Sequence, residues 1–353
     1  MLRDIYLRPI GLYPADVGER ALEVWGGMRL ADGWLDFLGL EVIERNGARV
    51  DRRVCGLSEL FERDWGRRSV GAADLLENVR APRPRLAGLS LEQPRIVGIV
   101  NVTPDSFSDG GHHATTTAAI DHGLRLLEQG ADVLDIGGES TRPGSHSVPV
   151  DEERRRVLPV IEALAAKSEA LISIDTRKAS VMREAVAAGA GMINDVSALT
   201  YDTDALQSVA DLDVPVILMH AQGDPKTMQD APAYGHVLLD VFDHLEARVE
   251  ACLEAGIARR HLVVDPGIGF GKTVEHNLEL MRGLSLFHGL GVPVMLGASR
   301  KRFIGSLTGV AVPADRVHGS VAAALTGVSY GVQLLRVHDV KATREAVDVW
   351  LAT

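Results

Sequence analysis

From Arg95 to the C-terminal end, short apolar runs alternate with longer amphipathic stretches. The runs are RIVGIV from Arg95, DVLDIG from Asp132, LISID from Leu171, GMIND from Gly191, PVILMH from Pro215, LVVDPG from Leu262, PVMLG from Pro293 and QLLRVH from Gln333. Apolar, β-branched runs of this length read as strands buried on both faces. Stretches between them, such as AAIDHGLRLLEQGA from Ala118 and SVMREAVAAGA from Ser180, carry helical spacing. Eight such strands separated by helices over roughly 250 residues predict a closed (β/α)8 TIM barrel. The competing architecture is an open doubly wound sheet, but no GxGxxG opens the first strand-to-helix turn.

Residues 1–80 have a different texture. They contain Trp25, Trp34 and Trp65, and their basic charge is all arginine. LDFLGLEVIERNGARVD predicts two short strands joined at Asn46-Gly47, and LSELFERDW predicts a helix. We therefore expect a small N-terminal α/β module, a linker over 81–94 with the Pro, Arg and Gly content of RAPRPRLAGLSLEQP, and the barrel over 95–353. The module shows no catalytic constellation, and its tryptophans read as a small core or packing surface.

The polar residues of the barrel region are not scattered along the helices. Asn101, Asp135, Asp175, Asn194-Asp195, His220, Asp265, Ser299-Arg300-Lys301 and Arg336 with His338 each fall at or just beyond the C-terminal end of a different apolar run. Strands pointing polar ends toward one mouth make a single site. Buried carboxylates at Asp175 and Asp265 demand donor-rich partners, and a flat heterocycle with adjacent amino and ring N–H groups supplies them; a helix cap or an internal ion pair is the alternative for each taken alone. Arg336 and His338 alternate along the last run and so face the same side, which suits a diphosphate; the alternative partner for Arg336 is nearby Asp339. Two polar, glycine-containing loops, TPDSFSDGG from Thr103 and ESTRPGS from Glu139, are suited to cover bound substrate.

Composition removes some classes of function. A net charge of −11 without a basic block argues against a nucleic-acid partner. Cys55 and Cys252 form no CxxC, so neither a zinc site nor a disulfide framework is indicated, and a reducing cytoplasm is the expected home. MLRDIYLRPIG lacks an apolar signal core, and no membrane partner is expected.

The segments IVGIVNVTPDSFSDGG, ESTRPGS, SIDTRK, INDVS, VDPGIGFGK, SRKRFIG and RVHDV closely resemble the signature motifs of the dihydropteroate synthases, which join a dihydropterin diphosphate to 4-aminobenzoate in folate biosynthesis. The resemblance covers residues 95–353 and also implies the barrel. It implies that Asp265 grips the amino and N–H edge of the pterin, that Asn194 and Asp175 meet the remaining ring nitrogens, and that Lys301 donates to the carbonyl side. Arg336 and His338 would hold the diphosphate, Thr141 would contribute to the same site, and Asp175, Lys301, Arg336 and His338 would carry catalysis. Phe107, Thr141, Pro143, Phe270, Lys301 and Arg302 would surround 4-aminobenzoate. Asn101 matches the asparagine linked to Mg²⁺, an ion that takes oxygen ligands and keeps much of its water. A homodimer and sulfonamide sensitivity are further expectations of the resemblance. Ala221 departs from it, standing where the family commonly has methionine. Corrinoid methyltransferases share the barrel and related Asp and Asn residues, but have little use for ESTRPGS, SRKRFIG and RVHDV together. A non-catalytic pterin-binding paralogue would be expected to have lost a motif.

Overall fold

The computed structural model describes residues 4–15, 27–57, 59, 69–102, 111–140, 147–223 and 227–353. All eight expected runs form strands: β5 (Arg95–Asn101), β6 (Val133–Gly137), β7 (Leu171–Asp175), β8 (Met192–Asp195), β9 (Val216–Met219), β10 (Leu262–Asp265), β11 (Met295–Leu296) and β12 (Leu334–Val337). They pair in parallel in the order β10-β9-β8-β7-β6-β5-β12-β11. A parallel bridge from Val264 to Val294 joins the two ends of that order, which gives the (β/α)8 barrel.

Helices return the chain between strands: α2 (Gly111–Glu128), α3 (Val150–Lys167), α4 (Ala179–Ala187), α5 (Ala205–Leu212), α6 (Val237–Glu254), α7 (Val274–Arg282), α8 (Arg302–Thr308), α9 (Val317–Ser329) and α10 (Val340–Ala352). Their apolar faces cover the strands: Val157, Val160, Ile161 and Leu164 of α3 are fully buried. None of the described helices is long and apolar enough to cross a membrane.

The bottom of the barrel is filled by side chains from the starts of the strands. Val97, Val133, Met192, Ile217 and Val263 form one buried cluster there with Leu86 and Leu91. Those two leucines come from the segment expected to be a linker, and Leu86 pairs with Leu89 in a short antiparallel bridge. Residues 81–94 thus carry apolar side chains into the barrel floor.

The N-terminal module is an antiparallel sheet and a helix. β1 (Ile5–Pro14) and β4 (Arg49–Gly56) flank the twelve-residue β3 (Leu35–Asn46), β2 (Met28–Leu30) pairs with the start of β3, and α1 (Ser69–Arg80) follows. The hairpin at Asn46-Gly47 is as expected, Asn46 pairing with Arg49 and Gly47 sitting at φ +62°. The helix expected over LSELFERDW falls mainly outside the described residues, as do Trp25 and Trp65. Trp34 packs against the core and its indole N–H donates to the Val328 carbonyl at 3.1 Å.

One apolar core runs through both parts, because the module packs against α6 and the 3₁₀ segment Leu284–Leu290. His288 of that segment is fully buried, its ring Nε2 2.9 Å from the Tyr330 carbonyl. Burial, reinforced by nearby Arg83, pushes its pKa down to about 3. A histidine depressed from about 6.5 contributes stability that is complete above that pH and is lost as the pH falls toward 3. His288→Gln, which keeps a donor for Tyr330, is therefore expected to flatten the acid limb of the stability–pH curve by up to about 1.4 kcal/mol per pH unit. Urea melts of both proteins between pH 7 and pH 5 check this; parallel curves would show that His288 takes up no proton on unfolding.

Candidate active site

The strand register lines up the ends of four strands, three of them polar. Asn101 of β5 pairs with Gly137 of β6, Gly137 with Asp175 of β7, and Asp175 with Asn194 of β8. These residues therefore stand at one level of the barrel mouth. Gly137 in the middle of the row leaves open space, since a Cβ there would lie 3.6 Å from Asp175 Oδ2 and 3.8 Å from Asn101 Oδ1.

Arg336 ties the row to the far side of the barrel. Its Nε donates to Asp135 Oδ2 at 2.6 Å and its Nη2 to Asp175 Oδ2 at 2.7 Å. Neither bond uses Nη1. Asp135 also accepts from Asn194 Nδ2 at 3.0 Å. The two carboxylates hold the Arg336 guanidinium charged, while burial pushes the Asp175 carboxyl up against the pull of Arg336. Asp339, the partner suggested by sequence proximity, instead takes two bonds from Arg300, at 2.6 and 3.0 Å.

Asp265 lies beneath Gly297, where an added Cβ would be 3.5 Å from Asp265 Oδ2 and 4.0 Å from Arg336 Cβ. Its Oδ1 accepts from the Gly267 N–H at 2.7 Å, and burial raises its pKa despite the pull of that bond, Lys301 and Arg336. Gly267, Gly269 and Gly271 all take positive φ, at 68°, 85° and 62°. At Gly269 a Cβ would come within 2.9 Å of Lys301 Cδ, so its absence makes room for the lysine stem. Lys301 Nζ donates to the Ile268 carbonyl and lies 4.0 Å from the centre of the Phe270 ring.

A cavity of about 840 Å³ opens above these residues. Of the residues expected to form the site, Asn101, Asp175, Phe270, Lys301, Arg302, Arg336 and His338 line it. Asn194 and Asp265 are almost wholly buried and sit behind the lining. Asn194 Oδ1 and Asp135 Oδ1 are buried acceptors with no hydrogen-bond partner among the described residues. His338 is held by Ser299, whose Oγ is 3.0 Å from Nδ1 and accepts from the His338 backbone N–H at 3.2 Å. Phe107, Thr141 and Pro143 lie outside the described residues. So does most of both polar loops.

Sequence reasoning missed two groups. Lys272 is fully buried, donating to the carbonyls of Gly267 and Phe270 at 2.9 and 3.0 Å and standing 2.9 Å from His220 Nδ1. Burial and the neighbouring Lys272 depress the pKa of His220 to about 2, so its ring stays neutral. A lysine closing a glycine-rich turn was the available signal. The second is Glu139, which accepts from Lys178 at 2.7 Å, from Arg177 at 2.8 Å and from the Val148 N–H at 2.7 Å. Only the fold brings those donors together. Among the described residues no cluster of three or more His, Cys, Asp or Glu side chains is arranged to hold a metal.

A family model described as pterin binding enzyme matches residues 97–338. A curated dihydropteroate synthase from Escherichia coli (strain K12) is 46% identical over 265 residues, covering 75% of this chain and 93% of the relative. The chain belongs to the dihydropteroate synthase family. Solved family members agree in fold as well as sequence. The Xanthomonas albilineans dihydropteroate synthase with 4-aminobenzoic acid is 57% identical with a TM-score of 0.73, covering 76% of this chain and 98% of its own. The same organism's enzyme in complex with 7,8-dihydropteroate is 54% identical with a TM-score of 0.70 and the same coverage.

Proposed function

We propose that this chain is a transferase that condenses (7,8-dihydropterin-6-yl)methyl diphosphate with 4-aminobenzoate, giving 7,8-dihydropteroate and diphosphate. The observation that carries this reading is a cavity edged by Asp175, Lys301 and Arg336 with two unpaired buried acceptors, Asn194 Oδ1 and Asp135 Oδ1, behind its lining. Unpaired acceptors in a low-dielectric floor call for a ligand with several convergent donors, and the pterin edge has them. Kinship with proteins solved with 4-aminobenzoic acid and with 7,8-dihydropteroate supports the same substrates.

In the mechanism we propose, Asp265 and Asn194 hold the pterin amino and N–H groups, and Lys301 donates to the ring carbonyl. Asp175, kept beside Arg336, faces the ring and stabilises positive charge that develops on it. The bond between the 6-methylene carbon and the diphosphate oxygen breaks, its electron pair leaving with the diphosphate. Arg336, through Nη1, and His338 stabilise that departing charge. The arylamine nitrogen, positioned by Phe270 and Arg302, forms the new bond to the methylene carbon and then releases a proton. No protein nucleophile takes part.

The amide oxygen of Asn101 fits Mg²⁺, a hard cation that accepts a single protein ligand when phosphate oxygens and water complete its shell. When bound, the ion would neutralise the diphosphate leaving group. A cytoplasmic homodimer, inhibited by sulfonamides that compete for the aminobenzoate site, completes the proposal.

The test is amine-dependent turnover. Purified protein given dihydropterin diphosphate, Mg²⁺ and 4-aminobenzoate is expected to form dihydropteroate and release diphosphate, with release abolished when the amine is omitted. Pterin binding without turnover would identify a scaffold instead, and methyl transfer from methyltetrahydrofolate to a corrinoid would identify the other barrel enzyme.

A further inference from the structure

Two cross-ties join the ends of β11 and β12, one residue apart on each strand. Ser299 Oγ holds His338, and the Arg300 guanidinium makes two bonds to the Asp339 carboxylate, Nε to Oδ2 at 3.0 Å and Nη2 to Oδ1 at 2.6 Å. Lys301 follows Arg300 directly, and His338 precedes Asp339. The pair therefore sits beside two residues that the proposed reaction needs in fixed relation.

Arg300 is held at every point. Its backbone occupies the left-handed region at φ +59°, which a residue with a Cβ adopts only when its surroundings impose it. Its N–H donates to Ser320 Oγ at 2.8 Å, and its carbonyl accepts from Arg316 Nη1 at 3.0 Å. Arg316 also reaches the Lys301, Val310 and Ala311 carbonyls at 3.3, 2.9 and 2.5 Å, fastening the turn to the far end of α8. Lys301 is the N-cap residue of α8, immediately before its first turn. The direction of its side chain therefore follows from the backbone set at Arg300.

We infer that Asp339 is a positioning residue: by locking Arg300 it sets the backbone turn that aims Lys301 into the cavity and keeps Lys301 in register with His338. This rests on the reading that Lys301 and His338 serve the pterin reaction. Asp339 need not touch substrate, and its contribution passes through the two-bond fork, which asparagine reproduces poorly because its amide nitrogen cannot accept.

The experiment measures steady-state kinetics of Asp339→Asn, Asp339→Glu and Lys301→Met in the full chain, together with Asp339→Asn in the Lys301→Met background. Thermal melts of each variant report the folded fraction. Asp339→Asn is expected to lower kcat by roughly 10- to 100-fold at an unchanged folded fraction, the scale of a misplaced reacting group. Asp339→Glu, which keeps two acceptor oxygens, should recover most of that loss. Once Lys301 is gone, the Asp339→Asn step should fall below about threefold, since residues acting through one another do not add.

If Lys301→Met loses activity while Asp339→Asn stays within about twofold of the parent, the positioning role is wrong and the reading of Lys301 stands. An equal Asp339→Asn loss in both backgrounds also overturns it, by making the role a general structural one. Full activity in Lys301→Met removes the reading of Lys301 and this inference with it. Should Asp339→Asn not fold, Arg300→Lys, which keeps the charge but loses the fork, is measured with and without Lys301 against the same expectations.

Discussion

Arg336→Met is expected to lower kcat/KM on the order of 10³-fold and to destabilise the protein by about 3–5 kcal/mol at pH 8. The stability loss follows from what the guanidinium leaves behind. Asp135 and Asp175, now bonded at 2.6 and 2.7 Å, would become neighbouring buried carboxylates with their shared cation removed. Removing one partner from a buried charge cluster is costlier than replacing the whole cluster, because the remaining charge stays desolvated. One route of relief is proton uptake by Asp175, whose pKa is already raised by burial and whose main opposing influence is Arg336. A carboxyl with a folded pKa above its unfolded value near 3.9 contributes stability that is complete below that value and is lost as the pH rises through the folded pKa. The variant should therefore lie closer to the parent at pH 5 than at pH 8 in urea melts. An equal gap at both pH values would mean that Asp175 does not titrate in this way.

This network also marks the limit of what the chain reveals before folding. The strands were legible because apolar β-branched runs ending in Gly, Pro or Asp have few alternatives. The polar residues closing those runs pointed to one mouth because parallel strands in a barrel all end there. The even spacing of Arg336 and His338 was enough to put both on the cavity side. Partner choice was not legible. Arg336 reaches residues 161 and 201 positions away, whereas Asp339, three positions on, belongs to Arg300. Neighbours at a strand end diverge as the chain turns into a helix, while residues on adjacent strands converge. The same reasoning explains Lys272, whose acceptors are backbone carbonyls of a turn that exists only once Gly267, Gly269 and Gly271 have adopted left-handed φ.

A chain beginning at Arg80 is expected to fail to fold into soluble, active protein, although none of the described residues of the module lost lines the cavity. The solved Xanthomonas relative matches 76% of this chain with 98% of its own, so about a quarter of this chain lies outside the match. The N-terminal module lies outside the family match at residues 97–338, and its described residues are built into the core here. The Tyr6 ring meets Phe242 of α6 edge-on at 5.5 Å, and Phe242 stacks on Phe287 at 6.3 Å. The Tyr6 hydroxyl donates to Asp243 at 2.8 Å, and Arg45 lies 3.0 Å from the same carboxylate. Ser285 donates to the Pro9 carbonyl, and Asn78 to that of Gly289. Ile5, Tyr6, Leu7 and Phe37 are each at most 1% exposed. At about 1.5–3 kcal/mol for each large apolar side chain buried, these four alone represent on the order of 10 kcal/mol, comparable with the whole stability of a domain. A milder lesion separates this packing role from a chemical one: Tyr6→Ala should cost about 3–5 kcal/mol in urea melts yet leave kcat/KM per folded molecule unchanged. A truncated chain that is soluble, cooperative in its melt and fully active would show that the barrel carries its own core and that the module is an appendage.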